Sequence, residues 1–229
     1  TLEVRKRFYE GNTRTGSEWP LSNTRYIKLF LNAVDASMRR SLPKKESQVR
    51  YQVNDIKDKT QNAAFEFKFD AKTEVTGYMK LKLWVEANGS EDMDLFVAIE
   101  KIDCAGYITF FPFFGNHDDG PVALGWLRVS HRELDMEKSM SFQPVHKHQR
   151  EVKLKPGEIV PVEIEIWPSS TLFEEGEKLR LLVQGSDIYS YPEEMHTDEH
   201  TDTVNGGEHV IHTGGKYDAH LLIPVIPGD

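Results

Sequence analysis

Val160-Pro161-Val162-Glu163-Ile164-Glu165-Ile166-Trp167 settles the fold class of this 229-residue chain. Val160, Val162, Ile164 and Ile166 take every second position, and Pro161, Glu163, Glu165 and Trp167 take the others. Successive side chains of an extended strand point to opposite faces, so this period of two is that of a half-buried strand. Proline cannot donate to a ladder, so Pro161 belongs near a strand start or at an edge. Met79-Lys80-Leu81-Lys82-Leu83-Trp84-Val85-Glu86 repeats the pattern. So do Phe65, Phe67 and Phe69, then Leu95, Val97 and Ile99, and then Leu179, Leu181 and Val183. Shorter extended candidates cover Ile27 to Leu31, Val49 to Val53, Trp126 to Ser130, Val152 to Leu154, Glu208 to His212 and Ala219 to Val225.

Breakers separate these runs: Asn88-Gly89-Ser90, Lys155-Pro156-Gly157-Glu158, Glu175-Gly176-Glu177, Asn205-Gly206-Gly207 and Thr213-Gly214-Gly215. About ten short strands with regular turn signals predict an all-β antiparallel sandwich or barrel. Helical periodicity is confined to single turns near Thr171 to Glu175 and Leu134 to Lys138, and the βαβ alternation of a parallel α/β fold is missing. The stretch from Asp187 to Glu208 reads as a long polar excursion, the kind of loop that is usually functional or mobile.

Composition narrows the function. Hydrophobic residues make 38% of the chain and charged ones 28%, with a mean hydropathy of −0.53, as in a soluble globular protein. No apolar run approaches the ~20 residues of a spanning helix, so no membrane role is expected. A net charge of −9 argues against a broad nucleic-acid face, which needs clustered cations. The charge is uneven: residues 1–60 hold 13 Lys and Arg against 7 Asp and Glu, whereas residues 61–229 hold 15 against 30. That asymmetry reads as a basic edge beside an acidic one, or as a docking surface for another domain. The lone Cys104 excludes an internal disulfide, and with the absence of a signal peptide it points to the cytoplasm. The chain begins Thr1-Leu2-Glu3-Val4 in an immediately strand-like pattern, as if cut from something longer.

Catalytic and metal motifs are absent or incomplete. No Gly-x-Ser-x-Gly occurs, so the strained nucleophile turn of an α/β-hydrolase is missing and no catalytic residue is assigned. Cys104, at a strand end, carries no mark of a lowered thiol pKa. Glu193-Glu194-Met195-His196-Thr197-Asp198-Glu199-His200 is rich in ligands, but Thr197 stands where a zinc-peptidase helix needs Glu. His209 and His212 face opposite sides of a strand, and His146 with His148 lacks a third ligand nearby in sequence. Glu91-Asp92-Met93-Asp94 lacks the glycine and distal Glu of a calcium loop. No metal and no cofactor is therefore expected. Trp84 and Trp167 sit on the non-aliphatic side of their strands, where an aromatic packs in a core, anchors a partner domain or stacks on a sugar.

The second half carries a more specific signal. Gly125-Trp126-Leu127-Arg128-Val129-Ser130-His131-Arg132-Glu133-Leu134-Asp135 is followed by Pro144-Val145-His146 and Leu154-Lys155-Pro156-Gly157-Glu158. Then come Ile164-Glu165-Ile166-Trp167-Pro168-Ser169-Ser170, Phe173-Glu174-Glu175-Gly176-Glu177-Lys178-Leu179-Arg180-Leu181 and His212-Thr213-Gly214-Gly215 through Pro227. Trp19-Pro20 and Asp92-Met93-Asp94-Leu95-Phe96-Val97 stand upstream. In this order and spacing the segments resemble the C-terminal domain of cocaine-esterase-like serine hydrolases, which include X-prolyl dipeptidyl-peptidases.

The resemblance covers nearly the whole chain and implies a fold and a role. The fold would be a jelly-roll β-sandwich similar to galactose-binding domains, with residues 1–229 forming one C-terminal domain. The partner would be the α/β-hydrolase domain of the same parent, which carries the catalytic triad and is absent from this chain. The jelly roll would pack on it and help shape a pocket for ester, amide or X-Pro cleavage. Trp19, Trp84, Trp167, Tyr189 and Tyr191 are the expected interdomain or pocket-rim contacts. Pairing of two copies through the uncovered face is a further expectation. A carbohydrate-binding jelly-roll module is the alternative.

Overall fold

A computed structural model of the chain describes residues 1–55, 57–113, 117–189 and 200–228. In chain order the strands are β1 (Leu2–Arg7), β2 (Glu10–Arg14), β3 (Arg25–Asn32), β4 (Ser37–Arg39), β5 (Ser47–Gln52) and β6 (Asn62–Lys68). The long β7 (Thr73–Asn88) and β8 (Asp94–Ile102) follow, then the short β9 (Ile108–Thr109), β10 (Phe111–Phe113) and β11 (His117–Gly120). The last five are β12 (Ala123–Arg128), β13 (Val160–Phe173), β14 (Lys178–Gln184), β15 (Glu208–Thr213) and β16 (His220–Ile226). A single 3₁₀ turn, Val129–His131, is the helical element among the described residues.

The strands form an all-β sandwich, as the alternation predicts. One layer is built on β7, which pairs β13 along most of its length, β16 over its first half and β15 over its last turns. β3 extends that layer beyond β16, and β5 extends it beyond β15. The other layer runs β6-β14-β8-β12. Single parallel bridges, Ser37 to Glu66 and Arg5 to Thr171, stitch β4 to β6 and β1 to β13 and curl these strands into one continuous sheet, with β10 and β11 as a separate two-stranded ladder.

The core is the set of alternating residues read from sequence. Met79, Leu81, Leu83 and Val85 of β7 and Val162, Ile164 and Ile166 of β13 face Leu95, Val97 and Ile99 of β8 and Leu179, Leu181 and Val183 of β14, all fully or almost fully buried. Each such side chain contributes about 1.5–3 kcal/mol relative to exposure. Pro161 pairs with Trp84 at the start of β13 and, as expected, sits where its missing N–H costs the ladder little. Among the buried charged groups the Lys101 ammonium is fully enclosed, donating to the carbonyls of Lys6 (2.8 Å) and Leu172 (2.7 Å) and pairing with Glu177 at 2.7 Å.

Three local expectations differ from the structure. Thr171 to Phe173 finishes β13 instead of starting a helical turn, because ladder pairs with β7 continue to Phe173. Leu134 to Lys138 is a turn capped by the Asp135 carboxylate and bridged to His146. Val152 to Leu154 is extended but joins no ladder; its amides bond singly to the Ser130 and Glu91 carbonyls.

Candidate functional site

A hollow among the described residues lies outside the sandwich, where β12 crosses β13. Alternation on β12 turns Leu127 inward and Trp126 outward. Gly125 lets the two backbones touch: a Cβ there would lie 2.2 Å from the Glu165 carbonyl oxygen and 3.2 Å from the Ile166 Cα. That approach sets Trp126 beside Trp167, with ring centroids 5.0 Å apart and planes at 64°. Both indoles are exposed, Trp126 at 42% and Trp167 at 51%. They border a cleft of about 480 Å³, with Glu165 and Arg128 in its lining.

Arg128 is tied down. Its Nε and Nη2 donate to the two oxygens of Asp94 at 2.8 and 3.0 Å, and Nη2 also donates to the Asp202 carbonyl. Asp94 further accepts the Val204 amide at 2.9 Å, and its own amide donates to Asn205 Oδ1. The same Asn205 oxygen meets His209 Nε2 at 2.9 Å. An amide oxygen only accepts, so His209 carries its proton on Nε2, and Nδ1 takes the Tyr51 hydroxyl at 3.2 Å. Burial pushes the His209 pKa down to about 3 and the Tyr51 pKa up, so both are neutral at pH 7. This chain of bonds fixes one wall of the cleft to the core.

The lining also carries histidines that the sequence separates. His131 follows β12, whereas His146 and His148 come from the crossover before β13. The His131 and His148 rings lie 5.4 Å apart, and those of His146 and His148 5.9 Å apart. Burial lowers the His146 pKa, and its Nε2 meets the Glu163 carbonyl at 2.9 Å. His148 holds a positive φ of 50°, and the buried Nδ1 of His131 has no partner among the described residues. Among those residues no group of three or more His, Cys, Asp or Glu is placed to hold a metal ion.

The expected rim residues do not form one site. Trp167 lines the cleft. Trp84 is half-buried elsewhere on the sheet, its indole N–H donating to Asp218 at 2.9 Å and its ring edge-on to Tyr217. Lys82 pairs with the same carboxylate at 2.7 Å, and although burial opposes it, that hydrogen bond lowers the Asp218 pKa. Trp19 is exposed and leans on Tyr78. Tyr189 is buried and lines a separate 230 Å³ hollow with Phe110 and Glu100. Tyr191 and His196 lie outside the described residues. The would-be calcium carboxylates are committed: Asp92 accepts the Met93 and Ser130 amides and Lys153, and Asp94 holds Arg128. No helix among the described residues is long and apolar enough to cross a membrane.

The family model for the X-Pro dipeptidyl-peptidase C-terminal non-catalytic domain matches residues 1–222. A CocE/NonD family hydrolase from Staphylococcus aureus is 47% identical, with a TM-score of 0.94 over 98% of this chain and 41% of its own. The fold also matches an aminopeptidase from a marine-sediment Thaumarchaeota archaeon at TM-score 0.64 and 15% identity, over 93% of this chain and 38% of that one. An alpha-amino acid ester hydrolase matches at 0.58 and 12%, over 86% of this chain and 36% of that one. The chain thus spans about two-fifths of the length of the solved structures it matches. Comparison with curated proteins gave no match.

Proposed function

The chain belongs to the family of X-Pro dipeptidyl-peptidase C-terminal non-catalytic domains, and from that premise we propose that residues 1–229 are one accessory domain packing on an α/β-hydrolase portion and helping shape its substrate pocket. The observation that carries this reading is the alignment of 98% of this chain with 41% of a CocE/NonD family hydrolase. The remainder of such a protein is a natural partner for surface left open here. Esters, amides and X-Pro peptide bonds are the candidate substrates of the whole protein. A cytoplasmic setting accords with the free, exposed Cys104 thiol.

The test is intact mass after a fluorophosphonate probe, with parallel ester and X-Pro amide assays and gel filtration with a separately produced hydrolase portion. The expected result is no adduct, no turnover and a stable complex. An adduct on one serine with turnover would overturn the assignment. A chain that is inert but elutes as a dimer, alone and with the hydrolase portion, would show that the open surface serves self-association. A second reading, a carbohydrate-binding module, draws on the paired exposed indoles of Trp126 and Trp167.

A further inference from the structure

The cleft between β12 and β13 has a charge arrangement that its role in an accessory domain does not require. Glu163, Glu165 and Trp167 share the outward row of β13. Glu163 is neutralised by Lys80 at 2.8 Å. Glu165 is not: among the described residues its carboxylate has one partner, the uncharged Gln143 amide at 2.9 Å. The guanidinium in the lining, Arg128, is already chelated by Asp94. Asp202 also lines the cleft, and its charge acts on Arg128. Glu165 therefore stands in the cleft lining without an ion-pair partner among the described residues, in company with two indoles that meet as a corner and with the unpartnered His131 Nδ1.

A tryptophan face carries negative quadrupolar density and attracts a cation within about 6 Å of its centroid. Two such rings at a steep angle, with the Glu165 carboxylate on the same outward row as Trp167 and in the same lining, supply the elements of a cation cage. The volume of about 480 Å³ lies within the range of small-ligand pockets and admits a guanidinium with its stem. We propose that the Trp126–Trp167–Glu165 cleft is a binding site for a compact organic cation, a guanidinium or alkylammonium group.

The experiment follows the four indole N–H resonances of this chain during titration at constant ionic strength. The probes are arginine amide and tetramethylammonium, each beside a neutral isostere (citrulline amide, tert-butanol), with galactose as a separate arm. The Trp84 resonance is the internal control for folding, since its N–H is held by Asp218. The expected result is saturable shifts of Trp126 and Trp167 with both cations and none with the isosteres. Affinity should fall about tenfold in Glu165→Gln and in Trp167→Ala, and stay unchanged in Glu163→Gln, whose charge is already met by Lys80.

A peptide, acetyl-Gly-Arg-Gly-amide, identifies the source of the cation. Binding about tenfold tighter than arginine amide assigns it to a protein side chain; equal binding assigns it to a free small molecule. Equal response to cations and isosteres, or saturation by galactose alone, would overturn the proposal. So would full retention of binding in Glu165→Gln.

Discussion

Trp126 on β12 and Trp167 on β13 meet edge to face with centroids 5.0 Å apart, although their strands belong to different layers of the sandwich. The contact depends on a third residue with no side chain. Gly125 lets the β12 backbone rest on the β13 backbone at Glu165 and Ile166. Two layers that elsewhere meet through their cores here meet through main chain, and the cleft opens beside the junction.

Gly125→Ala would place a methyl 2.2 Å from the Glu165 carbonyl oxygen, and backbone cannot yield as a flexible side chain can. Stability should drop by about 1–3 kcal/mol, the usual cost of overpacking. The exciton couplet expected of the Trp126–Trp167 pair in far-UV circular dichroism should weaken with it. Unchanged stability and an unchanged signal would contradict the role given to this glycine.

Lys101→Met should be more damaging. It would leave Glu177, itself buried, with the Glu174 amide but without its cation, and two carbonyls without their donor. Removing one partner of a buried pair costs about 3–5 kcal/mol. Urea denaturation of Lys101→Met beside the double variant Lys101→Met/Glu177→Gln checks this, because the double variant should recover part of the loss.

Stability should fall with pH below neutrality. His209 titrates at about 3 in the folded chain and near 6.5 when unfolded. Between those values the unfolded state binds more protons, so protonation favours unfolding. The contribution is complete above about pH 6.5 and is lost progressively toward pH 3, up to roughly 5 kcal/mol in all. Burial lowers His146 and His220 as well, with the same sign. Thermal melts from pH 7.5 to 4 should show a falling Tm. His209→Gln, which keeps a donor for Asn205, should flatten that slope even if it lowers Tm at pH 7.5.

Asp94→Asn should loosen the segment around Val204 without unfolding the sandwich. The carboxylate holds both Arg128 nitrogens and the Val204 amide, and asparagine can supply only one accepting oxygen. A loss of about 1.5–3 kcal/mol is expected for hydrogen bonds to a charged group. Hydrogen exchange should speed up at the Val204 and Gly207 amides and stay unchanged in β7.

The strand pattern, the core and the family were legible from residues 160–167 outward, because a strand's period of two is written in consecutive positions. The ordered segments from Gly125 to Pro227 carried the kinship for the same reason: each is local in sequence. Even the excluded chemistry, a missing nucleophile turn, is a local fact. Where local signals were weak they misled, as at Thr171 to Glu175, whose helical pattern gave way to ladder bonds with β7.

The cleft was not legible in this way. Trp167 stands out by its side of the strand, whereas Trp126 reads as the start of a short strand and as part of a family segment, and nothing in the sequence joins His131 to His148. Among the residues quoted, Gly125 was the available clue to a close backbone crossing, and a glycine in a strand does not name its neighbour. Trp84 and Trp167 alternate identically, yet one is pinned by Asp218 and the other stands open, since neighbours from β12 and from the turn before β16 decide exposure. Periodicity assigns a side chain to a face of its own strand; what covers that face is set by the crossing of distant strands, which only tertiary packing decides.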